Sequence, residues 1–218
     1  AGSAFGGRVL HEGNDTRGID VGLLSRVPVV FQRSHARRTY GSLEVMPPRG
    51  QSVNDLAFRR DCLEVDIAVE GRALTLFVCH FKSMHGGRLR TRDVRRAEAQ
   101  AVRRIIGERF ADPAGEEWVI LGDFNDYCEV DGVALDDSGL DPLLDEGFAV
   151  DLASQAIADP LDRWTHHFAC AESGARYTYR AGWLALPRGA ICRAQIPRNR
   201  LDGAQGIRPL PHGRNLKV

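Results

Sequence analysis

Lysine is almost missing from this chain of 218 residues, where two stand against 27 arginines. No apolar run approaches the ~20 residues that cross a bilayer, so a helical membrane span is excluded. The five cysteines (Cys62, Cys79, Cys128, Cys170 and Cys192) are odd in number and form no C-x-x-C pair. Neither a zinc ribbon nor a disulfide framework is indicated. There is no signal-peptide pattern at the start, no internal repeat and no Gly/Ser-rich linker, which points to one domain over residues 1–218. The chain opens on Ala1 rather than Met, from which a removed N-terminus is expected. A soluble chain is expected, cytoplasmic rather than secreted. Aromatic residues are only 7%, with no stripe on which single-stranded bases would stack.

What is present describes an ordinary globular protein: 43% apolar and 27% charged residues, with a mean hydropathy of −0.27. Disorder, collagen and coiled coil are excluded by that composition. The net charge of zero hides an asymmetry. Residues 1–109 carry 19 bases and 12 acids, residues 110–162 carry 15 acids and no Lys or Arg, and residues 163–218 carry 10 bases and 2 acids. Two readings follow. An acidic face packs beside basic ones, or acids hold a cation while flanking arginines attract an anionic substrate.

Residues 18–25 and 61–70 alternate with a period of two. In the second stretch Leu63, Val65, Ile67 and Val69 share one face and Glu64 and Asp66 the other, the mark of a half-buried strand. Glu70-Gly71-Arg72 then predicts a turn into a second strand over 73–81. Over 91–109 a helix is expected, with Val94, Ala97, Ala101, Ile105 and Ile106 on its apolar stripe and Arg95, Arg96, Arg103 and Arg104 largely off it. Thr91 is its expected N-cap, and Asp112-Pro113 with Gly115 ends it. Residues 118–121 read as a buried strand, 140–152 as a short helix and a strand, 183–186 as another strand, and 207–218 as a last one. Strands outnumber helices, which favours an antiparallel α+β or layered sandwich over a doubly wound sheet.

The sharpest chemical signal is Gly122-Asp123-Phe124-Asn125 at the end of a buried strand. Asp123 and Asn125, two apart, point to the same side, and one carboxylate with one amide suits Mg²⁺, which keeps waters and takes few carboxylates. An Asx-turn would account for the same residues. His80 continues the face of Leu74, Leu76 and Val78, as core histidines often do. Its neighbour Lys82 is a point charge in an arginine-biased chain. Asn14-Asp15-Thr16-Arg17-Gly18 is either a plain turn or a place where Arg17 clamps a phosphate and Asn14 donates to it. His166 and His167, adjacent on an extended segment, point oppositely and do not form a two-histidine metal site. Asp131, Asp136, Asp137 and Asp141 fit no EF-hand loop and read as solvated surface.

Together these stretches resemble the endonuclease/exonuclease/phosphatase superfamily, whose members include the DNase I-like phosphoesterases. The resemblance rests on residues 13–21 with Leu23-Leu24-Ser25-Arg26, then Cys79-His80-Phe81-Lys82-Ser83, and Arg95 with Glu98-Ala99-Gln100. It also rests on Gly122-Asp123-Phe124-Asn125-Asp126 and on Trp164-Thr165-His166. It spans roughly residues 10–170. It implies a four-layer αββα sandwich, here incomplete at the N-terminus, and an in-line, Mg²⁺- or Mn²⁺-assisted attack of water on a phosphate ester, nucleic acid being one candidate substrate. Asp123 would orient or deprotonate the water, and Asn125 would hold phosphate or metal. His80 and a terminal His212 would act with them, and Asn14, Arg17, Lys82 and Thr165 would line the pocket.

Three departures from the family pattern stand out. No Leu-Gln-Glu motif precedes Asn14, since only 13 residues come before it and Glu12 is too close. In Arg180-Ala181-Gly182-Trp183-Leu184, Gly182 stands where the family has an aspartate. In the tail, Pro211 takes the place of the aspartate if His212 is the terminal histidine. One or two residues later in register, Gly213 or Arg214 would replace the histidine itself, and the first register is preferred because it keeps one chemical group. With two carboxylates missing, a cation is expected to be weakly held. Three functions are therefore expected to compete: a metal-dependent phosphoesterase, a degenerate scaffold that binds an anionic ligand, and a scaffold repurposed for metal-free acid–base chemistry through His80, His212 and Asp123.

Overall fold

The alternation over 62–69 does build a strand, and Glu70 and Gly71, both with positive φ (49° and 80°), form the left-handed pair that a tight hairpin requires. The structure, a computed structural model, describes residues 5–130 and 132–163 and the strands at 166–169, 176–179 and 182–187. Along the chain run β1 (Gly7–His11), β2 (Val21–Ser25), β3 (Val29–Ser34), β4 (Cys62–Val69), β5 (Arg72–His80), α1 (Arg88–Arg109) and β6 (Trp118–Asp123). There follow β7 (Glu129–Val130), β8 (Val133–Ala134), α2 (Asp141–Leu144), β9 (Ala149–Asp151), α3 (Leu152–Ala156), β10 (His166–Ala169), β11 (Arg176–Tyr179) and β12 (Gly182–Pro187). The expected strands at 18–25, 118–121 and 183–186 and the helix–strand pair at 140–152 are all present. The expected strand at 207–218 lies outside the described residues.

Six strands form the main sheet in the order β3-β4-β5-β6-β12-β9. Every neighbour pair is antiparallel except β5–β6, which α1 connects as a parallel crossover. Phe77, Cys79, Trp118 and Ile120 on one face pack with Ala97, Ala101, Val102, Ile105 and Ile106 of α1. Leu63, Val65, Leu76, Val78 and Val119 on the other face pack with Val9 and Val21 of the antiparallel β1–β2 ribbon. Helix, sheet and ribbon make an α+β sandwich of the DNase I-like kind.

Three expectations are corrected. β4 is buried on both faces, because α1 covers the acidic side. Glu64 and Asp66 are buried there, and Arg109 reaches both carboxylates at 3.0 Å. Thr91 is not the N-cap: α1 starts at Arg88 behind Gly87, and the Thr91 hydroxyl donates back to the Gly87 carbonyl. Arg95 does not lie off the stripe but is fully buried.

Of the two readings of the charge asymmetry, the packing supports the first. Arg88 pairs with Asp126 and Asp137, Arg96 with Asp141, and Arg103 with Glu146, so the basic helix lies against the acidic stretch that follows it. Asp137 and Asp141 are ion-pair partners rather than solvated surface.

Candidate active site

His80 and Asp123 end β5 and β6, and the parallel register places them directly beside each other. Both continue the sheet face that packs on the β1–β2 ribbon, so they stand where that interface opens to solvent. His80 Nε2 lies 3.7 Å from Asp123 Oδ2, with the side chains 24% and 48% exposed. Burial, reinforced by the Arg60 charge, pulls His80 below its ordinary value despite the opposing pull of Asp123. A neutral imidazole follows near pH 7. Gly122 makes this proximity attainable. It sits at φ 137°, and a Cβ there would come within 1.9 Å of the Cys79 carbonyl oxygen.

Asp123 also forms the Asx-turn. Its Oδ1 accepts the Asn125 N–H at 3.0 Å, which holds Asn125 at φ 50°. The turn and the site therefore coexist, one carboxylate oxygen serving each. The Asn125 amide donates to the Phe81 carbonyl at 3.1 Å. One residue on, buried Asp126 anchors the loop. Its oxygens take Arg88 Nε (2.7 Å) and Arg95 Nε (2.8 Å) and the backbone N–H groups of Tyr127 and Gly139. Four donors on two oxygens leave this carboxylate saturated.

Beside the pair lies a cleft of ≈ 270 Å³ bounded by residues 14–17, Arg59, Arg60, Lys82, Ser83 and His85. Asn14, Arg17 and Lys82 all line this cleft, but their polar atoms are differently engaged. The Asn14 amide donates to the carbonyls of Ala36 (2.6 Å) and Phe58 (3.0 Å) and so fastens the loop. Arg17 is gripped by Asp15 through Nε and Nη2. The Lys82 ammonium donates to the carbonyl and hydroxyl oxygens of Ser83, and burial with the Arg60 charge pulls it below its ordinary value. Arg60 was not singled out from sequence. It is buried, pairs with Asp15 at 2.9 Å and donates to the Phe81 carbonyl at 2.8 Å, the same oxygen that Asn125 uses. Hydrogen bonds from Arg17 hold Asp15 far below the usual carboxylate range.

Asp123 and Asn125 offer two oxygens for a cation. Among the described residues, no three His, Cys, Asp or Glu side chains converge on a metal position. Two oxygens do not complete the near-octahedral set that Mg²⁺ demands, so this donor set does not fit the metal by itself. Gly182, across the antiparallel register from Asp123, brings backbone but no carboxylate to the same spot. Thr165 and His212 lie outside the described residues.

Residues 6–136 match the model of an endonuclease/exonuclease/phosphatase family. The chain belongs to that family. No curated protein matches it. Among solved structures, D. rerio TDP2 complexed with a single-strand DNA product shares 16% identity at TM-score 0.52, over 86% of this chain and 64% of that one. A humanized D. rerio TDP2 shares 18% at TM-score 0.48, over 83% and 61%. An endonuclease/exonuclease/phosphatase family protein from Leptotrichia buccalis shares 15% at 0.46, over 82% and 58%. At 16% identity the likeness to the TDP2–product structure speaks for the fold alone, and this chain spans roughly three fifths of all three structures.

Proposed function

We propose that this endonuclease/exonuclease/phosphatase chain, one domain over 1–218, is a phosphoesterase whose reacting groups gather around His80 and Asp123. The observation that carries the reading is their 3.7 Å approach on adjacent strand tips, next to a cleft lined by Arg17, Arg59, Lys82 and His85. Asp123, half exposed, accepts the proton of a water that attacks phosphorus as the ester oxygen leaves on the opposite side. Neutral His80 keeps one ring N–H with which to donate to a phosphoryl oxygen, and the cleft cations offset the charge that develops there. By resemblance, His212 would act with this pair, Thr165 would line the pocket, and the reaction would use Mg²⁺ or Mn²⁺, which Asp123 and Asn125 alone would hold weakly. Nucleic acid is the substrate class that the DNA-bound TDP2 structure brings into view.

The test is hydrolysis of bis(p-nitrophenyl) phosphate and of a single-stranded oligonucleotide with Mg²⁺ or Mn²⁺. Chelation should stop turnover, and Asp123→Ala should lower kcat by roughly 10²-fold or more. Turnover unchanged in that variant would refute the reading. The alternative, a scaffold that grips an anion without cutting it, is favoured by one observation: Gly182 supplies no carboxylate beside Asp123. It expects binding that weakens steeply with salt and no turnover with either metal.

A further inference from the structure

Glu98 lies on α1 without any solvent exposure, yet it makes no contact with the catalytic pair. Its two oxygens are spent on backbone. Oε1 accepts the N–H of Arg59 at 2.9 Å and Oε2 accepts the N–H of Lys82 at 2.7 Å. Arg59 belongs to the segment that enters β4 and Lys82 to the segment that leaves β5, and Cys62 and Cys79 pair across these strands. Arg59 and Arg60 from the first segment and Lys82 and Ser83 from the second therefore both form walls of the cleft. One carboxylate bridges the two backbones, beside the bond from Arg60 to the Phe81 carbonyl.

A carboxylate is costly to bury unless its acceptor capacity is used, and here both oxygens are used on cleft backbone rather than on a neighbouring arginine side chain. Two acceptor oxygens facing two N–H groups is a geometry that only an Asp or Glu provides. A glutamine would turn its NH₂ against one of the amides. We infer that Glu98 is a positioning residue that fixes the spacing of the Arg59–Arg60 and Lys82–Ser83 walls, and with it the affinity of the cleft for a phosphoryl anion. This rests on the reading of the cleft as the phosphate site.

Glu98→Gln tests it. With bis(p-nitrophenyl) phosphate, KM should rise roughly tenfold or more while kcat moves less than about threefold, the pattern of lost binding rather than lost chemistry. The dissociation constant for inorganic phosphate should rise by the same factor. If the parent binds phosphate without turning over any ester and Glu98→Gln loses that binding, the inference stands and the hydrolase reading falls. Unchanged phosphate affinity in Glu98→Gln overturns the inference, and so does a parent that binds no phosphate. Should the variant fail to fold, hydrogen exchange on the unmodified protein decides. Phosphate must slow exchange of both the Arg59 and Lys82 amides, by reciprocity of coupled sites, and saturation with phosphate that leaves both rates unchanged overturns it.

Discussion

Gly122 is where chemistry and backbone meet most tightly. A methyl group there would overlap the Cys79 carbonyl, a backbone atom with no rotamer to yield, and φ 137° lies where side chains are strained. Gly122→Ala should cost about 2–4 kcal/mol, read by urea denaturation, and should separate Asp123 from His80. A loss below 0.5 kcal/mol, roughly the noise of surface substitutions, would contradict this picture. The sequence showed that a glycine precedes Asp123 but not why, because the reason is a carbonyl 43 residues earlier, on the neighbouring strand. Asp123 was legible because it closes a buried apolar run, and His80 because it continues one. Arg60 was not, since an arginine ahead of a strand looks like ordinary surface until Asp15 and Phe81 fold onto it.

At the scale of elements, α1 buries Ala97, Ala101, Ile105 and Ile106 as its apolar period expects, but Val94 only partly, and the buried face also takes in Arg95, Glu98, Ala99 and Val102. The signal for Glu98 was present as an acid at i+4 from Val94. Burial of Arg95 was not legible, because its partner Asp126 is 31 residues away on the loop after β6. That loop depends on the helix in turn. Asp126→Ala takes from wholly buried Arg95 its ion-pair partner, while Arg88 keeps Asp137, and should destabilise by about 3–5 kcal/mol. The thermal midpoint should fall accordingly, whereas Asp126→Asn, which keeps the loop acceptors, should lose less. A midpoint unmoved by Asp126→Ala would show that the arginines find other acceptors.

Across the whole molecule, the segregated charge was visible in the sequence and its outcome was not. The acidic stretch pairs with α1 through Asp126, Asp137, Asp141 and Glu146, and which residues meet is decided by the crossover between β5 and β6. Glu98 gives the assembled protein a distinctive pH response. Burial raises its carboxyl to about 7, against the opposing pull of its hydrogen bonds and of Arg59 and Arg60. The folded protein thus holds this proton more tightly than the unfolded chain. Stability from this group is fully present below the ordinary carboxylate range and declines as pH rises to about 7, by on the order of 3 kcal/mol. Urea midpoints at pH 5 and pH 8 should therefore differ more in the parent than in Glu98→Gln. Equal differences in the two proteins would place the titration elsewhere.

Asp123 caps a strand bonded along both edges, to β5 and to β12. The cleft beside it is lined instead by the turn around Asp15, by Arg59 and Arg60, and by the stretch after Phe81 that leads to Gly86 and Gly87, both of positive φ. A bulkier ester presses on these loop segments first, so KM should rise before kcat falls.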